Sequence, residues 1–451
     1  MFKKLAIILL LVSLSLWGVF AGGQKAGSDG KTLVRFFTWW GDAEKIFGEA
    51  LVREFEAAHP NIKVEQTYVP YNDFHSKINT MVAANNTPDV YILNEFLINE
   101  WGEKGVGADL LPYYQKVGIN PGNFFLKQYL FTTGGKIWGV GSNPATIVLY
   151  YNKDMLRKAG ITFPPESVTS PWTWQQFVDA AKKLTKDSSG KGPDESGFNY
   201  QNVTQWGTLM PTNWLYWAAL LYGAQTSIVN TDGTGLEMSK PEGARIIQAI
   251  ADLSAVDCAA PSHAMAQGSA FTNFPTLLMN GQLGMFIGGT FMSGEFINEK
   301  FDVGIAQIPS FTGKGGNMTW SAGFQMRAGA SDAAFEFYHW MMNFDNWVTV
   351  AQKTRLALPG GLPTTTATLN DSAKRSAWLA VTNPAMSQIA GAILAQASRL
   401  GENVTVKNWA VIADEVIVPE LDKVWLGSET AADGMNNLTR QLTGKFNGIW
   451  K

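Results

Sequence analysis

A single cysteine in 451 residues, Cys258, excludes any internal disulfide. The expectation for it is a buried, inert thiol. Histidine is nearly as scarce. His59, His75, His263 and His339 lie far apart and show no metal-ligand spacing, so no metal site and no cofactor is expected. Charged residues make up only 16% of the chain, and the formal net charge is −3. Without a basic excess there is no footprint for nucleic acid. Catalytic signatures are missing too: no G-x-S-x-G elbow, no P-loop, no H-E-x-x-H and no G-x-G-x-x-G after a strand. These absences point away from an enzyme. They leave open a carbohydrate-active one, because a glycosidase needs only two carboxyl groups.

Apolar and aromatic residues, in contrast, are plentiful. Hydrophobic content is 46%, with 17 tryptophans. The length suits two or three domains rather than one core. Residues Met1 to Ala21 have the make-up of a secretory signal peptide. Lys3 and Lys4 form the positive start, Leu5 to Leu16 the apolar stretch, and Val19-Phe20-Ala21 the cleavage site. The apolar stretch is too short to span a bilayer comfortably, and no cysteine follows it to carry a lipid. Residues 22–31 read as a flexible leader. The expected location is a periplasm.

Residues Leu33 to Thr38 read as a strand, and Asp42 opens a helix with an apolar stripe of Ile46, Phe47, Ala50, Leu51 and Phe55. Between them stand Trp39, Trp40 and Gly41. Ile62 to Thr67 is a second strand, Asn72 to Ala84 a helix, and Asp89 to Leu93 a third strand ending at Asn94-Glu95. Alternating strands and helices imply an α/β chain with mainly parallel sheets. In such a sheet, ligands bind beyond the carboxyl ends of the strands. Trp39 and Trp40 would then share one crevice with Asn94 and Glu95. Further strands are expected at Lys136–Gly141, Thr146–Tyr151, Leu283–Ile287, Phe301–Ile308 and Ala322–Arg327, with a mostly helical remainder from Trp347. Thr173 is placed to cap a helix starting at Trp174. Tyr150-Tyr151 could in principle ligate iron, but their apolar surroundings favour packing.

Trp39-Trp40-Gly41-Asp42-Ala43-Glu44, Pro60-Asn61-Ile62-Lys63-Val64, Thr87-Pro88-Asp89-Val90 and Leu149-Tyr150-Tyr151-Asn152-Lys153-Asp154 follow one another along the chain. Trp172-Thr173-Trp174, Asn280-Gly281-Gln282, Gly289-Thr290-Phe291-Met292 and Gly361-Leu362-Pro363-Thr364 come after them. In that order the set resembles the family 1 extracellular solute-binding proteins of ABC importers, the sugar-binding group that includes maltose-binding protein. The resemblance implies two α/β lobes joined by a hinge of crossing segments, with a sugar or oligosaccharide held between them. The implied division is 32–142 with 317–345 for one lobe, and 143–316 with 346–451 for the other. The implied partners are the membrane permease subunits, with the protein itself a monomer. It also implies ligand contacts at Trp39, Trp40, Glu44, Asn94 and Asn143. Phe291 stands where relatives carry an indole, and Ala145 where oligosaccharide binders often carry an acid.

The residues themselves suit such a ligand. Sugars expose C–H faces to rings and hydroxyl rims to polar side chains. Trp39, Trp40, Trp214, Trp217, Phe291 and Trp320 are the candidate platforms. One of Trp39 and Trp40 should face the cleft, since adjacent side chains point apart. Trp214 and Trp217 divide evenly between core and cleft, and so does Tyr71 between cleft and solvent. Glu95 is a candidate hydroxyl acceptor. Arg355 could reach the ligand from the third crossing segment or simply face water. A ligand-presenting subunit for a chemosensor would share every one of these features.

Overall fold

The computed structural model describes residues 30–142, 144–271, 273–296, 301–356, 358–359, 362–387 and 399–450. The expected signal peptide, all of the leader before residue 30, and Asn143 lie outside the described residues.

The first strand, β1 (Thr32–Thr38), buries Val34, Phe36, Phe37 and Thr38. It leads into α1 (Asp42–Ala58), whose first turn is closed by Glu44 Oε2 accepting from the Gly41 N–H at 3.1 Å. Phe47, Ala50, Leu51 and Phe55 of α1 face the core as expected. Ile46 does not: it is 53% exposed. The buried stripe is centred on the 47–51–55 row, and Ile46 falls at its margin. β2 (Ile62–Tyr68), α2 (Tyr71–Ala83), β3 (Val90–Leu93) and α3 (Glu95–Glu103) follow. A hairpin of β4 (Leu130–Thr133) and β5 (Lys136–Gly141) comes next.

The chain then crosses to β6 (Ile147–Asn152), which pairs with β7 (Met285–Gly289) and β8 (Val303–Gln307). It returns through Met318–Trp320 to β9 (Gly323–Met326). The first sheet has six strands in the order β2-β1-β3-β9-β5-β4, and the second has three in the order β8-β6-β7.

Mainly parallel sheets were the expectation, and both sheets depart from it. In the first, β1 runs parallel to β2 and β3, but β9 is antiparallel to β3 and β5. In the second, both pairings are antiparallel. The returning strand β9 comes back from the other sheet and so enters against its neighbours. That reversal is invisible to local periodicity.

The two sheets are joined by strand-like crossing segments. Ala145 and Trp320 exchange backbone hydrogen bonds of 2.9 and 3.2 Å. Met318 and Thr319 pair in parallel with Arg399 and Leu400. The helix Phe344–Thr354 lies on α1: Trp347 packs edge-on to Trp40 at 5.9 Å and against Phe47 at 5.6 Å. This indole completes the aromatic core under β1.

Candidate ligand-binding site

β1 and β3 are parallel neighbours, so Trp39 and Asn94 emerge side by side. Tyr71, the first residue of α2, joins them. The Asn94 amide donates to the Tyr71 hydroxyl at 3.1 Å, and the Trp39 indole stands edge-on to the Tyr71 ring at 5.4 Å and to Phe74 at 4.9 Å. Tyr71 remains 49% exposed and Trp39 is half-buried. His75 borders the same group, with its ring 6.1 Å from Trp39, and burial holds its imidazole below the usual value.

The second sheet carries a further part-exposed ring. β7 ends at Gly289, beside the crossing, where the Thr290 N–H donates to the Thr146 carbonyl at 2.9 Å. From there the turn Thr290–Phe296 presents Phe291, 38% exposed, and Glu295, exposed. The charge of Glu295 adds a small upward push on the Glu44 carboxyl. Burial is the larger reason that the Glu44 carboxyl is held above its usual value.

In the C-terminal segment, buried Trp409 packs against half-buried Trp214 at 5.3 Å. Five residues on, exposed Asp414 faces Tyr71 and Glu95 closely enough for its charge to bear on both. Glu95 itself is only 4% exposed and accepts from the amide of buried Asn403, so it ties the first sheet to this segment.

Several expected site residues are placed elsewhere. Trp40 is 9% exposed, with Phe36, Phe324 and Trp347 edge-on around it. It is a core residue, because consecutive side chains leaving a strand point apart. Trp217 is 1% exposed and Trp320 6%, the first in the helix Trp214–Gly223 and the second in the paired crossing. Glu95 has its carboxyl turned into the seam with Asn403 rather than open to a guest. Arg355 is exposed, in the left-handed conformation that ends the helix Phe344–Thr354. Cys258 is half-exposed rather than buried, and the partial burial it does have raises its thiol pKa.

Tyr150 and Tyr151 are both packed. Tyr150 donates to the Gly289 carbonyl at 2.9 Å and stacks on Phe286, while Tyr151 lies against Phe163. No group of three or more His, Cys, Asp or Glu residues is placed to hold a metal ion among the described residues.

Sequence reasoning did not single out Glu295 or Asp414. Neither follows a strand directly, so the strand-end rule gave no signal for them. Trp409, 2% exposed, is a packing residue beneath Trp214.

A crevice of about 890 Å³ opens at the far end of α3 between Glu103, Thr133, Asp232, Lys407 and Trp450. Its one indole carries the Lys407 ammonium over the ring at 5.3 Å. None of the strand ends that gather Trp39, Asn94 and Phe291 lines it. Among the described residues, no helix is long and apolar enough to cross a membrane.

Three comparisons bear on this arrangement. The chain resembles the solved structure of an ABC substrate-binding protein from Listeria monocytogenes in complex with cycloalternan. The TM-score is 0.77, identity is 24%, and the match covers 92% of this chain and 99% of that one. It shares the two-lobed periplasmic-binding-protein fold. Among curated proteins, the sn-glycerol-3-phosphate-binding periplasmic protein of Agrobacterium fabrum is 27% identical over 239 residues, which is 51% of this chain and 50% of that protein. The arabinooligosaccharide-binding protein of Bacillus subtilis is 26% identical over 193 residues, 41% of this chain and 42% of that one. The chain thus spans about half the length, or less, of these curated relatives. The model of the bacterial extracellular solute-binding proteins matches residues 28–345, well over half of the sequence, and the chain belongs to that family.

Proposed function

We propose that this protein is the periplasmic substrate-binding component of an ABC-type carbohydrate importer. It would bind a sugar or oligosaccharide between two lobes and deliver it to permease subunits. The observation that supports the reading is the cluster of Trp39, Tyr71 and Asn94 at the ends of β1 and β3, two part-exposed rings beside an amide donor. Phe291 and Trp214, part-exposed on other elements, are proposed as further platforms. Ring faces take the C–H faces of a sugar, and Asn94, Glu44, Glu295 and Asp414 are polar partners for its hydroxyls.

In this reading the first lobe comprises 32–142, 317–345 and the helix that follows, and the second comprises 143–316 with the chain beyond residue 399. Asn143 and Arg355 are secondary contacts, placed by resemblance and by position. The protein acts as a monomer, is exported by residues 1–21, and performs no chemistry. A micromolar affinity corresponds to roughly 8 kcal/mol, within reach of a few stacked rings and buried hydroxyl bonds.

The test is thermal shift followed by calorimetry against maltose, maltotriose, arabinotriose, cyclic glucans and monosaccharides. At least one should raise the melting temperature and bind with one-to-one stoichiometry. Stabilisation by another solute class and by none of the sugars would overturn the reading. Because a glycosidase needs only two carboxyl groups, the same samples should be held with the bound oligosaccharide for a day. The saccharide is expected back uncut, and shortened products would make the protein an enzyme.

A further inference from the structure

The run Thr87-Pro88-Asp89-Val90 has no part in the sugar cluster. It leads into β3 at the end opposite Asn94, and the length of the strand puts roughly 16 Å between Asp89 and Asn94. The sheet register sets Asp89 between two arginines. Phe36 of β1 and Met326 of β9 both pair with Val90, so Arg35 and Arg327 stand on either side of Asp89. Backbone bonds fix the trio. The Asp89 N–H donates to the Arg35 carbonyl, and the Arg327 N–H to the Asp89 carbonyl, each at 3.0 Å.

Both oxygens of the Asp89 carboxylate are taken. Oδ1 accepts from Arg327 Nη2 at 2.6 Å and from its Nε at 3.2 Å, and Oδ2 accepts from the Arg35 backbone N–H at 2.8 Å. The Arg35 guanidinium is held mainly by neutral groups. It donates to Asn86 Oδ1 at 2.7 Å and to the Thr87 carbonyl at 2.5 Å, with its Nε 3.8 Å from the carboxylate. Two positive charges therefore share one negative charge. The Asp89 side chain is 11% exposed, but those of Arg35 and Arg327 are each 33% exposed. They line a cavity of about 470 Å³ together with Asn85, Thr87, Gly105 and Val106, and no Asp or Glu is among the described residues lining it. The whole chain carries a net charge of −3, so this positive surplus is local. Among the described residues, part of each guanidinium has no protein partner.

We propose that this cavity is an anion site, remote from the sugar cluster, in which Arg35 and Arg327 hold a small oxyanion such as inorganic phosphate. The site stands independently of the sugar reading. A guanidinium presents its N–H groups in a rigid plane, and the oxygens of a phosphate take them two at a time. The neutral acceptors around Arg35 aim its fork without cancelling its charge. Free phosphate and the headgroup of an anionic lipid offer the same chemistry.

The test is equilibrium dialysis of the mature protein against radiolabelled phosphate at low ionic strength. One site should appear, with a dissociation constant of about a millimolar or tighter, and chloride at the same concentration should compete poorly. Arg327→Lys keeps the charge and loses the fork, and should weaken binding at least tenfold. Arg35→Gln should do the same. Asp89→Asn removes the one counter-charge at nearly constant shape, and should tighten binding at least threefold, which a merely structural knot of charges would not do. Circular dichroism checks that each variant is folded. Should an arginine variant fail to fold, the unaltered protein still decides, because binding must fall steeply between about 20 mM and about 0.5 M salt. Flotation with phosphatidylglycerol vesicles separates the two sources. Co-flotation that phosphate competes away and Arg35→Gln abolishes assigns a headgroup, and phosphate binding without co-flotation assigns the free ion. Phosphate that binds no better than chloride, or equally well to both arginine variants, overturns the site and leaves the sugar reading untouched.

Discussion

Trp39 and Trp40 are the same residue type at consecutive positions, yet their surroundings assign them opposite work. Trp40 fills a pocket walled by Phe36, Phe324 and Trp347, and a Cβ at Gly48 would come within 2.4 Å of its six-membered ring. Trp40→Ala should therefore cost about 3–5 kcal/mol of stability, the range for an emptied aromatic site. Gly48→Ala should destabilise through the same contact. Trp39 keeps one side open beside Tyr71. Trp39→Ala should weaken sugar binding at least tenfold and leave the denaturation midpoint nearly unchanged. Urea titration and calorimetry on the two variants check both statements. Equal losses of stability in both would mean that Trp39 is a packing residue. The adjacency was legible in the sequence, as was the rule that one of the pair must turn away. Which one turns away was not, because the choice depends on Trp347, some three hundred residues downstream.

At the scale of elements, the start of α3 meets the segment that begins at Glu402. Glu95 and Glu402 are both buried at this seam. Burial, the larger influence on each, raises the Glu95 pKa from 4.5 to about 7 and that of Glu402 to about 8. The sign follows from proton uptake. Between pH 4.5 and about 7–8 the folded protein keeps protons that the unfolded chain has lost, so stability falls as pH rises through this window and levels off above it. A tenfold difference in proton affinity between the folded and unfolded chain corresponds to roughly 1.4 kcal/mol. Asp187 works in the opposite sense at lower pH. The Ser189 hydroxyl and three backbone N–H groups hold its carboxyl down at about 2, so its contribution is present above pH 3.8 and fades as pH falls towards 2. Melting temperatures from pH 3 to 9 should peak near pH 4–5, and Glu95→Gln should flatten the decline above it. A Gln variant with an unchanged slope would remove Glu95 as its source.

Periodicity located most of the strands and helices, Lys136–Gly141 without error. It could not see this seam, since α3 and the segment from Glu402 are three hundred residues apart and neither stands out locally. The same blindness hid the hairpin strand Leu130–Thr133, whose LFTT lacks a clear alternation.

For the whole molecule, what matters is that the candidate site has no complete wall within either body. Trp39, Tyr71 and Asn94 belong to the first sheet; Phe291, Glu295 and Trp214 do not. The connection between them runs through short paired segments, Ala145 with Trp320 and Met318–Thr319 with Arg399–Leu400. Such segments absorb a change of angle by small adjustments of a few backbone dihedrals. A guest touching both sides gains contacts only when the sides approach, so its binding energy biases the hinge towards closure. Binding should then shrink the radius of gyration measured by small-angle scattering, with no change in mass. Saturation with a tight-binding sugar that leaves the scattering curve unchanged would mean that the two bodies are locked, and that selectivity is set by a fixed cavity rather than by closure.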